Sequence, residues 1–214
     1  MIDRIELHGV LPQVFSGTEP ESGVWLHDIE FVRGGHYLVE AASGTGKSSL
    51  CSFVYGNRRD YEGSILFDGT DIRTLSIEDW CRLRCRSLGI LPQEMRLFPE
   101  LTVMENIRLK NSLTDFMSET EILALLAEME IDHKANRPAA MLSIGQQQRA
   151  ALVRALCQPL DFLLLDEPVS HLDALNNERA AAMVIREAGK QGAAVIVTSV
   201  GNHLAITDFI TIKL

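Results

Sequence analysis

Ala41-Ala42-Ser43-Gly44-Thr45-Gly46-Lys47-Ser48-Ser49 follows a short apolar run, Tyr37–Glu40, and opens a segment that reads as a helix from about Lys47. A strand, a glycine turn and a helix in that order make a cradle for phosphate. Glycines at 44 and 46 let the backbone curl until successive N–H groups converge on anionic oxygens, and the helix N-terminus adds a partial positive charge. Lys47 is placed to reach the β- and γ-phosphates of a nucleotide, and the Ser48 hydroxyl to ligate Mg²⁺. Ala41 stands where the usual pattern has its first glycine. That position closes the strand rather than touching phosphate, so alanine is compatible with it at negative φ.

A second stretch, Phe162-Leu163-Leu164-Leu165-Asp166-Glu167, is apolar until its last two residues. Such a run suits a parallel strand buried on both faces, and open α/β sheets bind ligands at the C-terminal ends of their strands. Asp166 is placed to hold magnesium, directly or through water, and Glu167 to orient and polarise an attacking water. Standing alone, the run would read as a strand ending in a solvated acidic turn; beside a phosphate loop it reads as functional.

Around these two stretches, short apolar runs alternate with longer periodic ones, the pattern of an α/β protein. Strands are expected at Arg4–Val10, Val24–Val32, Gly63–Asp68, Leu88–Leu91, Ala193–Thr198 and Phe209–Lys213, with a turn around Asp68-Gly69. Ser76 reads as the N-cap of a helix through Arg86. From about Thr102 to Cys157 the reading is nearly all helical, with Ile122, Leu125, Leu126 and Met129 forming one core-facing stripe. A further helix is expected from about Ala174.

The 214 residues are 46% hydrophobic and 23% charged, which excludes disorder as a description of the whole. The net charge of −9 repels nucleic acid and anionic lipid on average, so no nucleic-acid partner is expected. Arg82, Arg84 and Arg86, the densest basic cluster, read as a solvated helix face. No apolar stretch approaches the roughly 20 residues needed to span a bilayer. Charges in Met1-Ile2-Asp3-Arg4-Ile5-Glu6 stand where a signal peptide would need an apolar core. Cys51, Cys81, Cys85 and Cys157 read as reduced thiols of a cytosolic protein, without the further ligands a metal site would need.

Leu142-Ser143-Ile144-Gly145-Gln146-Gln147-Gln148-Arg149 precedes an apolar helix that ends before Pro159. Ser143 with Gln146 three later is a capping box, an ordinary helix start. The same stretch, shortly before Asp166, resembles the signature sequence of ATP-binding-cassette ATPases. The phosphate loop, Gln93 in Leu91-Pro92-Gln93-Glu94, and Ser170-His171-Leu172-Asp173 after Glu167 match that family in order and spacing. So do Gly63, Asp68-Gly69-Thr70-Asp71-Ile72 and Leu101-Thr102-Val103-Met104-Glu105-Asn106.

The resemblance covers nearly the whole chain and implies a single ATPase domain over residues 1–214. Its P-loop nucleoside-triphosphatase core would have a mixed, mainly parallel sheet, with an N-terminal antiparallel β subdomain and an α-helical subdomain inserted at approximately 94–158. In this family two cassettes pair head to tail around two ATP molecules. The loop Ser43–Ser49 and the carboxylates of one would then face Ser143, Gly145 and Gln146 of the other, whose helix N-terminus aims its N–H groups at the γ-phosphate. Gln93 would contact magnesium or the lytic water, next to a groove that receives a transmembrane partner, and Asp173 would communicate across the dimer. An aromatic residue near the N-terminus stacks on adenine; Phe15 is the first choice and Trp25 the second, and either is alternatively simple core.

Two positions depart from the family. Ile144 stands where the signature has glycine, and Ser199 where a switch histidine contacts the γ-phosphate. A seryl hydroxyl is shorter and carries no positive charge at neutral pH. Losing one positioned donor costs on the order of 10²–10³ in turnover in analogous sites, so slow hydrolysis is expected. His203, four residues on, reads as a surface histidine. In a homodimer every composite site would combine both departures; a heterodimer with an intact partner would separate them. The leading expectation is the energy-supplying subunit of a transporter, cytoplasmic and peripheral on the inner face of the cell membrane, docked on separate transmembrane permease subunits. Its length resembles the small cassettes of lipoprotein-release, macrolide-efflux or cell-division complexes. Two other classes are a cassette acting as a mechanical switch on a membrane protein or other complex, and a P-loop kinase. The Ser143–Gln146 and Ser170–Asp173 stretches argue against the kinase.

Overall fold

In the computed structural model, which describes residues 1–18 and 20–214, β1 (Arg4–Pro12) pairs antiparallel with β2 (Ile29–Val32). β3 (His36–Glu40) leads through the phosphate loop into α1 (Lys47–Val54), and β4 (Tyr61–Phe67) turns at Asp68-Gly69 into β5 (Thr70–Asp71). Then come α2 (Ile77–Arg86), β6 (Leu88–Leu91), α3 (Val103–Asn111), α4 (Glu119–Glu128), α5 (Ile144–Leu156), β7 (Phe162–Asp166), α6 (Ala174–Gly189), β8 (Ala194–Ser199) and β9 (Ile210–Lys213). The antiparallel pairings form one sheet in the order β2-β1-β4-β5. The second sheet, β6-β7-β8-β3-β9, is parallel at every pairing.

The central strands β7 and β8 of the parallel sheet are buried throughout, as unbroken apolar runs require, while the edge strand β9 is largely exposed. Phe162, Leu164, Ala194 and Ile196 face the antiparallel sheet and α1, sharing a core with Ile5, Leu7, Phe31 and Phe53. The alternate residues Leu163, Leu165, Val195 and Val197 face the helices, in a core with Leu152, Leu156, Val184 and the stripe Ile122, Leu125, Leu126 and Met129. Helix starts are set locally. Ser76 with Asp79, Thr102 with Glu105, Ser118 with Glu121 and Ser143 with Gln146 each close a capping box in which side chain and backbone N–H bond reciprocally.

Two expectations change. The strand expected at Val24–Val32 begins only at Ile29, because the Ser22 hydroxyl accepts from the N–H groups of Val24 (3.0 Å) and Trp25 (2.9 Å) and Leu26 is left-handed (φ 65°). Arg84 is not a solvated face residue. It donates to the carbonyls of Tyr55 (3.2 Å) and Gly56 (3.0 Å) at the end of α1, with its guanidinium over the rings of Tyr55 and Trp80. Gly63 also has a structural role: it lies opposite an irregularity in β1 between His8 and Leu11, and a Cβ there would come within 2.4 Å of the Gly9 carbonyl oxygen.

Candidate functional site

The strand order brings the C-terminal ends of β3 and β7 to the same edge with β8 between them, and Val39, Thr198 and Asp166 stand in register. The phosphate loop and the Asp166-Glu167 pair therefore leave the sheet side by side. Gly44 (φ 84°) and Gly46 (φ 100°) occupy the left-handed conformations that glycine alone adopts cheaply, while Ala41 is not among the residues of positive φ. The loop is braced from below: the Trp25 indole N–H donates to the Thr45 carbonyl at 2.8 Å, and the Thr45 hydroxyl to the Ala42 carbonyl at 2.9 Å. Lys47 is 6% exposed; its Nζ donates to the Ala42 carbonyl at 3.0 Å and lies 3.6 Å from Glu167 Oε1.

A cleft of about 290 Å³ opens above these groups, bordered by Phe15, Ser43, Gly44, Gly46, Lys47, Ser48, Ser49, Gln93 and Glu167. The half-buried Phe15 ring is thus beside the loop and accessible from the cleft. Trp25, the second choice for a stacking ring, is 1% exposed and packs under Gly46, where a Cβ would meet its ring at 3.0 Å. It supports the loop and has no free face to offer.

Asp166 is buried, and its Oδ1 accepts from the Thr198 hydroxyl at 2.6 Å. Glu167 sits at a left-handed φ of 50°, a conformation that costs about 1 kcal/mol or more in a non-glycine residue. It is held there by its N–H donating to the Thr198 carbonyl at 3.0 Å. Ser199 is 1% exposed and turns its hydroxyl to the carbonyl of Asn202 at 2.7 Å, within its own loop. His203 donates from Nδ1 to the Leu204 carbonyl at 2.9 Å and stands edge-on to Phe209. The lining of the cleft includes neither residue.

Ser143, Gly145 and Gln146 lie outside the Lys47 cleft of their own chain. The N-terminus of α5 approaches the loop after β7 closely enough that a Cβ at Gly145 would come within 2.8 Å of the His171 carbonyl oxygen. Ile144, at the first helical position, is 52% exposed and directs an apolar side chain outward. Asp173 caps α6, accepting from the Asn176 N–H at 2.8 Å, and that backbone bond holds its carboxyl below the usual carboxylate range. Sequence reasoning missed Gln148. It is 2% exposed, its Nε2 donates to the Glu167 carbonyl (3.1 Å) and the Ser170 hydroxyl (3.2 Å), and its Oε1 accepts from the His171 N–H (2.9 Å). The available signal was a polar residue on the buried stripe of Ala151, Leu152 and Ala155.

Comparison with known proteins agrees with this geometry. The profile of the family described as ABC transporter matches residues 28–170. The lipoprotein-releasing system ATP-binding protein LolD of Shewanella frigidimarina is 31% identical over 192 residues, 88% of this chain and 79% of that protein. The macrolide export ATP-binding/permease protein MacB 2 of Aeromonas hydrophila is 28% identical over 200 residues, 91% of this chain but 30% of that one. Among solved structures, the dimeric structure of MJ0796, a bacterial ABC transporter cassette, superimposes with a TM-score of 0.80 at 26% identity, covering 98% of this chain and 94% of the other. Among the described residues no helix is long and apolar enough to cross a membrane. With the phosphate loop, the strand-end carboxylates and the signature helix all in place, the chain belongs to the ABC transporter family as one of its ATP-binding ATPase cassettes.

Proposed function

We propose that residues 1–214 form one ATPase domain, with its helical part at about 94–158, which dimerises around two ATP molecules. The dimer drives separate transmembrane permease subunits from the cytoplasmic face of the membrane. The observation that carries this reading is the convergence of Lys47, Gln93 and Glu167 on one cleft that also holds the glycines of the phosphate loop and Phe15. The triphosphate lies along Ser43–Ser49, with the adenine ring against Phe15. Ser143, Gly145 and Gln146 complete the site from the second cassette, and Asp173, at the loop after β7, lies at the boundary between the two. Glu167 accepts the proton of the attacking water, and Lys47 holds the oxygens of the γ-phosphate. Ser199 sits where the family places its switch histidine, and its hydroxyl is bound to its own loop, so hydrolysis by the isolated chain is slow.

Magnesium fits the donor set. Ser48 offers an exposed hydroxyl on the first turn of α1, and Asp166 a buried carboxylate oriented by Thr198; both border one cavity, and Gln93 adds a third oxygen from the phosphate side. When bound, Mg²⁺ neutralises charge on the phosphate oxygens. Glu167→Gln tests the whole reading. It should leave ATP binding intact, lower turnover at least about 10²-fold and trap a dimer in gel filtration with ATP and Mg²⁺. Elution as monomer only would refute the two-cassette site.

A further inference from the structure

Arg58 lies four residues past the end of α1, in none of the stretches that carry the family resemblance. Its side chain reaches back to that helix. Nη1 donates to the Ser49 hydroxyl at 2.9 Å, and the guanidinium carbon stands 5.2 Å from the centre of the Phe53 ring. The other side of the fork is held by Asp60: Nε donates to Oδ1 at 2.9 Å and Nη2 to Oδ2. Asp60 is itself anchored, since its carbonyl accepts from the Gln13 N–H at 3.0 Å, where the turn bearing Phe15 begins. A guanidinium can serve a carboxylate and a hydroxyl at once because its donors point in fixed directions. Ser49 is 8% exposed and borders the cleft of Lys47. A hydroxyl has one proton and two lone pairs. The Arg58 N–H occupies one lone pair, so the Ser49 proton points elsewhere, and among the described residues no acceptor takes it. An unused donor on a buried hydroxyl in the wall of a phosphate cleft calls for an anionic oxygen.

We infer that Arg58 is a positioning residue for the nucleotide, fixing the Ser49 hydroxyl as a donor aimed at a phosphate oxygen. Arg58 itself does not touch the nucleotide. Its bond polarises the hydroxyl, so the contact from Ser49 to phosphate gains strength from a charge one group further back. The inference rests on the nucleotide reading of this cleft and adds to it a side chain outside the family's motifs.

The test is a double-mutant cycle on the affinity of the full chain for ATP with Mg²⁺, read by calorimetry. Arg58→Met is made together with Asp60→Asn, so that no unpaired carboxylate is left to repel phosphate. Both side chains are 42% exposed, and this charge-neutral pair of changes leaves the fold in place. It should weaken ATP binding about fivefold, the loss of one net hydrogen bond. Ser49→Ala should cost as much or more, and adding the pair of changes to it should cost less than about twofold further. KM of the pair variant should rise by the same factor of about five while turnover at saturating ATP stays within about twofold, because the contact is made equally to ground and transition states. Unchanged ATP affinity in the pair variant, multiplication of the two losses in the triple variant, or a loss confined to turnover would each overturn the inference. A parent chain that binds no ATP would instead overturn the nucleotide reading itself.

Discussion

Replacing Gln148 by leucine fills the same space but removes every polar contact between α5 and the loop after β7 that this side chain makes. Gln148 is 2% exposed and serves three partners: the Glu167 carbonyl, the Ser170 hydroxyl and the His171 N–H. After the change, Glu167 retains a long 3.4 Å contact from the Ser170 N–H, and the Ser170 hydroxyl retains His171 Nδ1 at 2.8 Å. The His171 N–H and half of the Glu167 carbonyl are left without partners. At about 1–1.5 kcal/mol for each partly solvated group, the loss is about 2 kcal/mol. With a urea slope of about 3 kcal/mol/M for a chain of this size, the midpoint by circular dichroism falls by about 0.7 M. Ser170→Ala removes only one of the three contacts and should shift it by less than about 0.3 M. Turnover should fall as well, because Gln148 helps hold the left-handed backbone that aims Glu167. A leucine variant whose midpoint matches that of Ser170→Ala, with turnover intact, would refute the argument.

Gly46→Ala should lower ATP affinity more than tenfold by calorimetry and cost about 2 kcal/mol of stability, since its φ of 100° and the Trp25 ring at 3.0 Å both exclude a side chain; unchanged affinity counts against the loop geometry. Phe15→Ala should weaken ATP binding about fivefold to 150-fold, the value of one base stacked on one ring, whereas Phe15→Tyr should retain it; equal affinity in all three would remove Phe15 from the adenine site. Bonds from Ser76, Thr102 and Ser118 hold the carboxyls of Asp79, Glu105 and Glu121 below the usual range. Folded values below the unfolded ones stabilise the protein fully above the unfolded values, from about pH 5 upward, and lose that effect as pH falls through the depressed values. The combined Asp79→Asn, Glu105→Gln and Glu121→Gln variant should therefore melt earlier than the parent at pH 7 and converge with it as the pH falls through the depressed values; a constant gap would contradict the assignment.

What the sequence reveals depends on how far apart the bonding groups lie along the chain. Capping boxes close within three residues, so Ser76 and Ser143 announce their helices, and the pattern at Thr102–Glu105 and Ser118–Glu121 serves α3 and α4 in the same way. Doubly buried strands announce themselves by unbroken apolar runs, and Leu88–Leu91 falls where the reading puts it. The expectation at Val24–Val32 fails because Ser22 offers the backbone a local turn that the apolar pattern does not register. Gln148 and Arg84 stay hidden because their partners are 19 to 29 residues away and are mostly backbone groups, which carry no residue identity. The phosphate loop itself is legible because its chemistry is written in contiguous residues. The brace beneath it, from Trp25, is not.

That brace makes the protein its own optical instrument. The indole of Trp25 is shielded from solvent and bonded to the Thr45 carbonyl, so any rearrangement of the phosphate loop alters the polarity felt by that chromophore. The other indole, Trp80, is stacked edge-on against Phe67 beside the far end of α1. Exchanging Trp80 for phenylalanine would leave a single tryptophan, and its intensity and wavelength would follow nucleotide arrival and departure in real time without any added dye.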